Sequence, residues 1–377
     1  MHAILLPKSF GLCNRKFLMA VQLYLLNDCS NRQRQNRPRI FRDRSSPLDS
    51  LDDVDLIARY RLPRHCIAEL CDLLNDLERP TKRTQSMSVA TQVLTALRFY
   101  ATGSFQKDAG DLHGISQASV SRCVSAVSSS LCNVASHYIS FPDQLAQQRI
   151  MAAFNNIANF PNVLGCVDGT QIPITAPHTS EHLFVCRKGF HALNVQVVCD
   201  HQLRFTNIVA KWPGSAHDSF VWSNSGIYHQ LKQRPPDELG WLLGDSGYPL
   251  SHFLLTPIQK PDTPPEESYN QAHRRTRNTV ERAIGVWKMR FRCLHKTGGC
   301  LQSPPVTCVK IITACAVLHN ICIINGIPDN GSDVGETENE DDREETGSQC
   351  TDQTGSDRDN GRRVRSRLIE QRFRREH

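Results

Sequence analysis

The sequence predicts an α/β protein in which a helical N-terminal part precedes a mixed β-sheet that further helices cover. Apolar residues recur at helical spacing from residue 52 to about residue 138. From residue 162 onward, short apolar or alternating runs bounded by turn residues take over, and longer helical stretches interleave with them. With 377 residues and 39% hydrophobic content, the chain can bury the cores of about two domains.

The helical part is divided by proline, glycine and serine residues that start or stop helices. Helices are expected over residues 52–77, 88–101, 104–112 and 116 to about 138, with a hinge at residues 80–86. Pro63 marks a helix start within the first of these segments. Gly114 predicts the turn before the last helix, and Ser116 is a suitable N-cap for it.

Two helices joined at a glycine turn are also the pattern of a helix-turn-helix. The exposed side chains that would then face the major groove or the phosphates of DNA are Gln117, Ser119 and Arg122. The side chains expected to pack inward are Val120, Cys123 and Val127. An ordinary helical bundle gives the same pattern, so these residues alone leave both interpretations open.

The sheet is expected to begin with a three-stranded meander. The predicted strands are residues 163–168, 191–199, 203–211, 241–245 and 253–258, and the predicted helices are residues 218–232, 270–294 and 306–325. In the last helix, Cys308, Cys315 and Cys322 recur every seven residues among apolar neighbours. This spacing favours core packing over disulfides or zinc binding, and hence a reducing compartment.

Three carboxylates stand in settings that suit catalysis better than solubility. Asp168 and Asp245 each close an apolar strand run, so each is expected at a sheet edge that faces a crevice. Glu281 lies beside the apolar face of the helix expected over residues 270–294. Carboxylates that converge without a matching Arg or Lys repel one another, and a divalent cation removes that conflict. The set predicts a metal site, although each residue by itself also fits a helix cap or a surface charge.

Four polar residues near these carboxylates are further candidates. Asp218 is a suitable N-cap for the helix that follows it, and this is the favoured interpretation. Alternatively, Asp218 would lie behind the metal ligands while His217 orients water or a phosphate. Lys288 and Arg290 follow Glu281 and are candidates for contacts with a DNA backbone, which a solvated helix face explains nearly as well.

The net charge of +6 conceals a strong asymmetry along the chain. Residues 329–357 hold eleven acidic side chains against one Arg, whereas residues 358–377 hold eight Arg against three acidic side chains. The first segment predicts a disordered linker and the second a basic amphipathic helix. The preceding 328 residues carry a net charge of +11, which suits a polyanionic partner.

The N-terminal region predicts neither export nor a membrane anchor. The apolar run at residues 17–26 contains Gln22, is too short to span a bilayer and is followed by a poor cleavage site. Residues 31–44 hold six Arg against one Asp and form a basic arm. Either Met1 or Met19 suits the start of translation.

Ordered motifs surround the three carboxylates. They are Val167-Asp-Gly-Thr170, Gly214-Ser-Ala-His-Asp218, Gly244-Asp-Ser-Gly-Tyr248, and Val280-Glu-Arg-Ala-Ile-Gly285 with Lys288-Met-Arg-Phe291. Asp168 and Asp245 are 77 residues apart, and Glu281 follows 36 residues later. These motifs resemble the DDE nuclease domain of PIF/Harbinger transposases. The resemblance runs from about residue 47 to about residue 328 and includes the segment at residues 114–122.

The resemblance implies a particular fold and domain order. It implies an N-terminal helical, helix-turn-helix-like domain followed by an RNase H-like, mixed-sheet catalytic domain. With the charge pattern, the expected divisions are a basic arm (1–46), a helical DNA-binding domain (47–150), a nuclease domain (151–328), an acidic disordered linker (329–357) and a basic C-terminal helix (358–377).

The resemblance also implies a function. It implies a metal-dependent DNA endonuclease that hydrolyses phosphodiester bonds with two Mg²⁺ or Mn²⁺ ions bound by Asp168, Asp245 and Glu281. The alternative is a domesticated, non-cleaving DNA-binding or scaffold protein that retains the fold. The implied partners are DNA and a Myb-like DNA-binding protein that assists nuclear import. The expected location is the nucleus with a cytoplasmic pool, and a homo-oligomer is left open.

Overall fold

The structure of the chain, a computed structural model, describes residues 47–78, 86–235, 238, 240–328 and 355–374. The basic arm expected over residues 1–46, with its two candidate start residues, lies outside the described residues. So do nearly all of the hinge expected at residues 80–86 and the acidic linker up to residue 354.

The helices come before, within and after a single sheet. The described helices are α1 (Pro47–Ser50), α2 (Asp53–Tyr60), α3 (Arg64–Leu73), α4 (Val89–Thr102), α5 (Gln106–His113), α6 (Gln117–Asn133), α7 (Ala135–Tyr138), α8 (Gln144–Ala158), α9 (Glu181–Phe184), α10 (Asp218–Ser223), α11 (Gly226–Lys232), α12 (Pro264–Arg290), α13 (Pro305–Ile324) and α14 (Gly355–Arg372). The described strands are β1 (Val163–Pro173), β2 (Ala192–Cys199), β3 (Phe205–Pro213), β4 (Trp241–Leu243) and β5 (Leu254–Leu255). Short 3₁₀ turns lie at Asn75–Leu77, Arg292–Leu294 and Lys296–Gly298.

The sheet is mixed, and its strand order is β3-β2-β1-β4-β5. The meander β1-β2-β3 is antiparallel, whereas β4 adds to β1 in parallel and β5 adds to β4 in parallel. The predicted α/β fold is confirmed: a helical N-terminal region precedes a mixed-sheet domain that is consistent with the RNase H-like fold.

Apolar side chains project from both faces of the sheet. Alternate strand residues enter two separate clusters, so Leu243 joins the larger one and Leu242 the smaller one. The larger cluster includes Trp287 of α12, and the smaller includes Trp222 of α10. Because side chains alternate along a strand, the sheet lies between two helical layers.

Helix α13 joins the helical part to the sheet. Its predicted core face is confirmed, since Cys308, Cys315 and Cys322 are fully buried, and the described cysteines are free thiols. Asn320 donates to Tyr138 O (2.9 Å) and Phe205 O (2.7 Å) and accepts from Phe205 N (2.8 Å). By length and composition α13 would suit a membrane span, yet 67% of its most apolar stretch is buried within the protein, as in a core helix. The larger cluster runs across the boundary expected near residue 150.

Several predicted helix limits differ from the structure for local reasons. The helix expected to reach residue 138 breaks at Val134, and the helix expected over residues 218–232 is two helices. Ser225 Oγ caps the second of these by accepting from Tyr228 N (3.2 Å). Helix α12 begins at Pro264, six residues early, because Glu266 accepts from the backbone N–H of Thr263 (3.1 Å).

Gly110 and Gly285 form a matched pair for testing the close packing of α5 on α6. A Cβ at Gly110 would lie 2.6 Å from Ile115 O, whereas a Cβ at Gly285 meets nothing within 4 Å. We expect Gly110→Ala to lower the free energy of unfolding by about 1–3 kcal/mol. Gly285→Ala should leave it unchanged or raise it by about 0.5–1 kcal/mol. Urea unfolding checks both, and equal effects would contradict close packing at Gly110.

Candidate active site

Asp168 and Asp245 stand at matching positions on neighbouring parallel strands. Cys166 of β1 pairs with Leu243 of β4, and each aspartate follows its paired residue by two positions. This register places the two carboxylates side by side where β4 ends, although β1 itself continues past Asp168 to Pro173. Asp168 lies on the first strand, as predicted, and Asp245 follows the fourth by two residues. The expectation that Asp168 closes its strand is wrong, because pairing with β2 continues to Pro173.

A tight turn holds Asp245 and introduces a buried tyrosine. Asp245 Oδ1 accepts a hydrogen bond from Gly247 N at 3.0 Å. Tyr248, in the same turn, is 4% exposed. Burial raises the pKa of Tyr248 well above its ordinary value, and the charges of Asp218, Asp168 and Asp245 raise it further. Tyr248 is therefore a neutral, buried side chain near the carboxylates.

Arg277 links the helical glutamate to the strand aspartate. Its Nη1 donates to Asp168 Oδ2 at 3.1 Å, and its Nη2 donates to Glu281 Oε1 one turn further along α12. Burial opposes the charge of Arg277, yet Asp168, Glu281 and Asp245 together raise its pKa. The expectation that the three carboxylates lack a matching Arg is therefore wrong. The i, i+4 spacing of Arg277 and Glu281 was the signal in the sequence.

The electrostatic environment of Asp168 is strongly perturbed. Burial raises the pKa of Asp168 to about 7 against the opposing effect of Arg277, and the charges of Asp245 and Asp218 add to the rise. The Gly169 N–H, which donates to Asp168 Oδ1 at 2.9 Å, lowers it slightly. A partly buried carboxyl group whose pKa is shifted this far is typical of a functional site.

Asp218 lies against Gly169 of β1 and is not the cap of its helix. His217, an exposed residue, holds the N-cap position of α10 without a side-chain cap bond, and Asp218 is the first helical residue. Asp218 Oδ1 accepts from Asn194 Nδ2 at 2.9 Å and lies so close to β1 that a Cβ at Gly169 would be 2.3 Å from it. The favoured N-cap prediction is wrong because His217 holds the cap position, while the Asp218 carboxylate is bonded to Asn194 of β2.

Comparison with known proteins identifies the family of this chain. The profile described as "DDE superfamily endonuclease" matches residues 167–320, which contain the three carboxylates. The rat and human proteins named "Putative nuclease HARBI1" are 43% and 42% identical over 282 residues, which cover 74% of this chain and 80% of theirs. The chain belongs to the Harbinger transposase-derived DDE endonucleases. The Arabidopsis thaliana "Protein ALP1-like" is 30% identical over 73% of this chain and 72% of its own length. No solved structure matched significantly.

DDE superfamily endonucleases generally use divalent metals, and two of the three carboxylates of this member suit such a cation. Carboxylate oxygens are the ligands that hard divalent cations prefer, and Asp168 and Asp245 are close enough for their charges to interact. Glu281 is instead bonded to Arg277. The described residues accordingly contain no group of three His, Cys, Asp or Glu side chains already arranged around a metal position. The two aspartates fit a divalent cation, whereas Glu281 is engaged by Arg277.

The helix-turn-helix candidates of this Harbinger relative differ in exposure. Gln117 and Arg122 are exposed, whereas Ser119 is half-buried and donates its backbone N–H to the cap residue Ser116 at 3.2 Å. The residues expected to pack inward are indeed buried, and they are Val120, Cys123 and Val127. Contact between the exposed side chains and DNA stays a prediction.

Lys288 and Arg290, the basic candidates at the end of α12, also differ in exposure. Lys288 is half-buried, and its Nζ donates to Gln171 O at 3.3 Å. Arg290 is 4% exposed, and its Nη2 donates to Ile327 O at 3.0 Å. The prediction that Arg290 contacts DNA is wrong, because its side chain is buried beneath the segment after α13.

The raised pKa of Asp168 predicts a pH-dependent stability. The folded chain keeps a proton on Asp168 that the unfolded chain releases, so this contribution is fully present below the ordinary pKa of 3.8 and is lost as the pH rises through about 7. In EDTA, we expect the stability advantage of Asp168→Asn over the wild type to grow by about 1–2 kcal/mol between pH 5 and pH 8. This is below the full linkage value because Asp168 is 18% exposed. Urea unfolding measures it, with the exposed Asp262→Asn as control; a difference independent of pH would contradict the prediction.

Proposed function

We propose that this Harbinger-derived protein is a divalent-metal-dependent DNA endonuclease that hydrolyses phosphodiester bonds. The observation that carries the proposal is the β1–β4 register, which places Asp168 and Asp245 side by side within the segment matched by the DDE profile. Glu281 reaches the same crevice through its link to Arg277.

In the proposed site, some residues would hold cations and others would shape the surroundings of those cations. Asp168 and Asp245 would hold Mg²⁺ or Mn²⁺, with Glu281 as the third ligand residue. Two such ions supply activation of water and charge stabilisation at the attacking and leaving oxygens. Because phosphoryl transfer depends mainly on positioning and charge, Ser246, an exposed neighbour of Asp245, has no need to act as a nucleophile.

Residues around the crevice keep the carboxylates in place. Asn194 bonds both Asp218 Oδ1 (2.9 Å) and Ala216 O (2.8 Å), which fixes the charge of Asp218 behind Asp168. Tyr248 packs as a buried side chain next to these carboxylates. These contacts hold the acidic groups near each other at some cost in stability, as a metal site requires.

DNA is the proposed substrate, and the helical part is proposed to help bind it. Gln117 and Arg122 offer exposed polar and basic side chains at the start of α6. A Myb-like DNA-binding protein is proposed as the partner that assists nuclear import, with the nucleus as the main location and a cytoplasmic pool.

A second candidate function is a domesticated scaffold that binds DNA without cleaving it. The pairing of Arg277 with Asp168 and Glu281 favours it, since this pairing offsets two of the negative charges by means of the protein alone. Absence of plasmid nicking by the wild type in both Mg²⁺ and Mn²⁺ would select the scaffold.

Loss of a single ligand charge should abolish cleavage. We expect Asp168→Asn, Asp245→Asn and Glu281→Gln each to lower Mg²⁺-dependent nicking of supercoiled plasmid at least about 100-fold, since loss of residues that only support ligands already costs about 10–100-fold. Folding and DNA binding should be nearly unchanged, because the shapes are conserved. Glu267→Gln, exposed on the same helix, is the control. Wild-type nicking rates in all three variants would overturn the proposed site.

The helix-turn-helix proposal predicts different effects for its two exposed residues. Arg122→Ala should weaken binding of a duplex and reduce the slope of log affinity against log salt by about 1, because one phosphate contact is lost. Gln117→Ala should change sequence preference more than overall affinity. Arg149→Ala, exposed on α8, is the control. If Arg122→Ala matches the wild type at every salt concentration, this part of the chain only supports the fold.

A further inference from the structure

Arg277 occupies the carboxylate oxygens that a cation would need. Asp168 uses Oδ1 to accept from Gly169 N (2.9 Å) and Oδ2 to accept from Arg277 Nη1 (3.1 Å). The other end of the same guanidinium bonds Glu281. A single side chain therefore engages two of the three proposed metal ligands.

A guanidinium and a divalent cation exclude each other at this position. Both are positive and both bind carboxylate oxygens, so at separations of about 4 Å they repel strongly in a partly buried crevice. A cation that binds Asp168 through Oδ2 has to displace Arg277 from that atom. The free energy of the displaced ion pair is then subtracted from the free energy of cation binding.

The displaced side chain has a natural second partner in DNA. Arg277 is 18% exposed and lies on α12 among exposed arginines. These exposed arginines are Arg274, Arg275 and Arg282. A phosphate held by them would come within reach of a side chain on the same helix. The planar, forked guanidinium binds phosphate oxygens as well as it binds carboxylates.

We infer that Arg277 couples cation binding to DNA binding, by leaving Asp168 for a DNA phosphate when the cation enters. This inference rests on the proposed endonuclease function and adds a regulatory property to it. The coupling is reciprocal, so DNA strengthens cation binding by the same factor by which the cation strengthens DNA binding. The carboxylates then acquire their cations preferentially on substrate.

The test measures Mn²⁺ affinity by electron paramagnetic resonance of free Mn²⁺, with and without a 20-base-pair duplex whose integrity is checked on a gel. Without DNA, Arg277→Gln should bind Mn²⁺ about tenfold more tightly than the wild type. Adding the duplex should strengthen Mn²⁺ binding about tenfold in the wild type and hardly at all in Arg277→Gln. Arg149→Gln removes the same charge at an exposed position on α8, away from these arginines, and should behave as the wild type.

Two further variants make each outcome decisive. Arg277→Lys keeps the charge with fewer donors, so its Mn²⁺ affinity without DNA should lie between those of the wild type and Arg277→Gln, and it replaces the Gln variant if that fails to fold. Equal Mn²⁺ affinity in the wild type and all folded Arg277 variants overturns the coupling, as does equal tightening by Arg149→Gln. Asp168→Asn separates the two ideas: if it removes Mn²⁺ binding, the metal site stands whatever the Arg277 result. If Mn²⁺ binds neither the wild type nor any variant, the proposed function fails as well.

Discussion

Negative charges that are gathered in a partly buried crevice have to be offset, and this constraint governs the site. Burial and the neighbouring Asp245 and Asp218 raise the pKa of Asp168 to about 7, while Arg277 acts against the rise. The crevice thus combines an excess of carboxylates with one guanidinium. Either a proton, an arginine or a divalent cation satisfies the charge balance, and the choice among them decides whether the crevice is inert or reactive.

The fold meets this constraint by bringing together segments that are far apart in the chain. The β1–β4 register sets the two strand aspartates, and α12 supplies Arg277 and Glu281 from one turn and the next. Helix α12 is anchored by the fully buried Trp287, which packs edge-to-face on Phe205 with ring centroids 5.2 Å apart. Asn320 then ties β3 to the helical part, so the parts of the fold support one arrangement of charges.

Residue patterns within one element were readable from the sequence, whereas contacts between elements were not. The apolar runs before Asp168 and Asp245 predicted which strands carry them, because an apolar run followed by a carboxylate is a local signal. The extension of β1 to Pro173 was not predicted, because it depends on pairing with β2. The role of Arg277 was not predicted, because an i, i+4 ion pair on a helix is common at surfaces. Its hydrogen bond to Asp168 joins two residues that are 109 positions apart in the sequence. The prediction that Arg290 contacts DNA was wrong, because the sequence of its own helix does not show that Ile327 covers it. The N-cap prediction for Asp218 was wrong because the position of its carboxylate depends on Asn194 of β2, a distant element.

The electrostatic cost at Asp168 also bears on the choice between the two candidate functions. A scaffold needs only the shape of this side chain, which Asn would supply without a buried charge, and a carboxyl group with a pKa near 7 reduces stability at neutral pH. Arg277 recovers only part of that loss, because burial opposes its own charge as well. A costly acidic cluster with an incomplete internal counter-charge is therefore better suited to receiving an external cation than to packing, which favours the endonuclease over the scaffold.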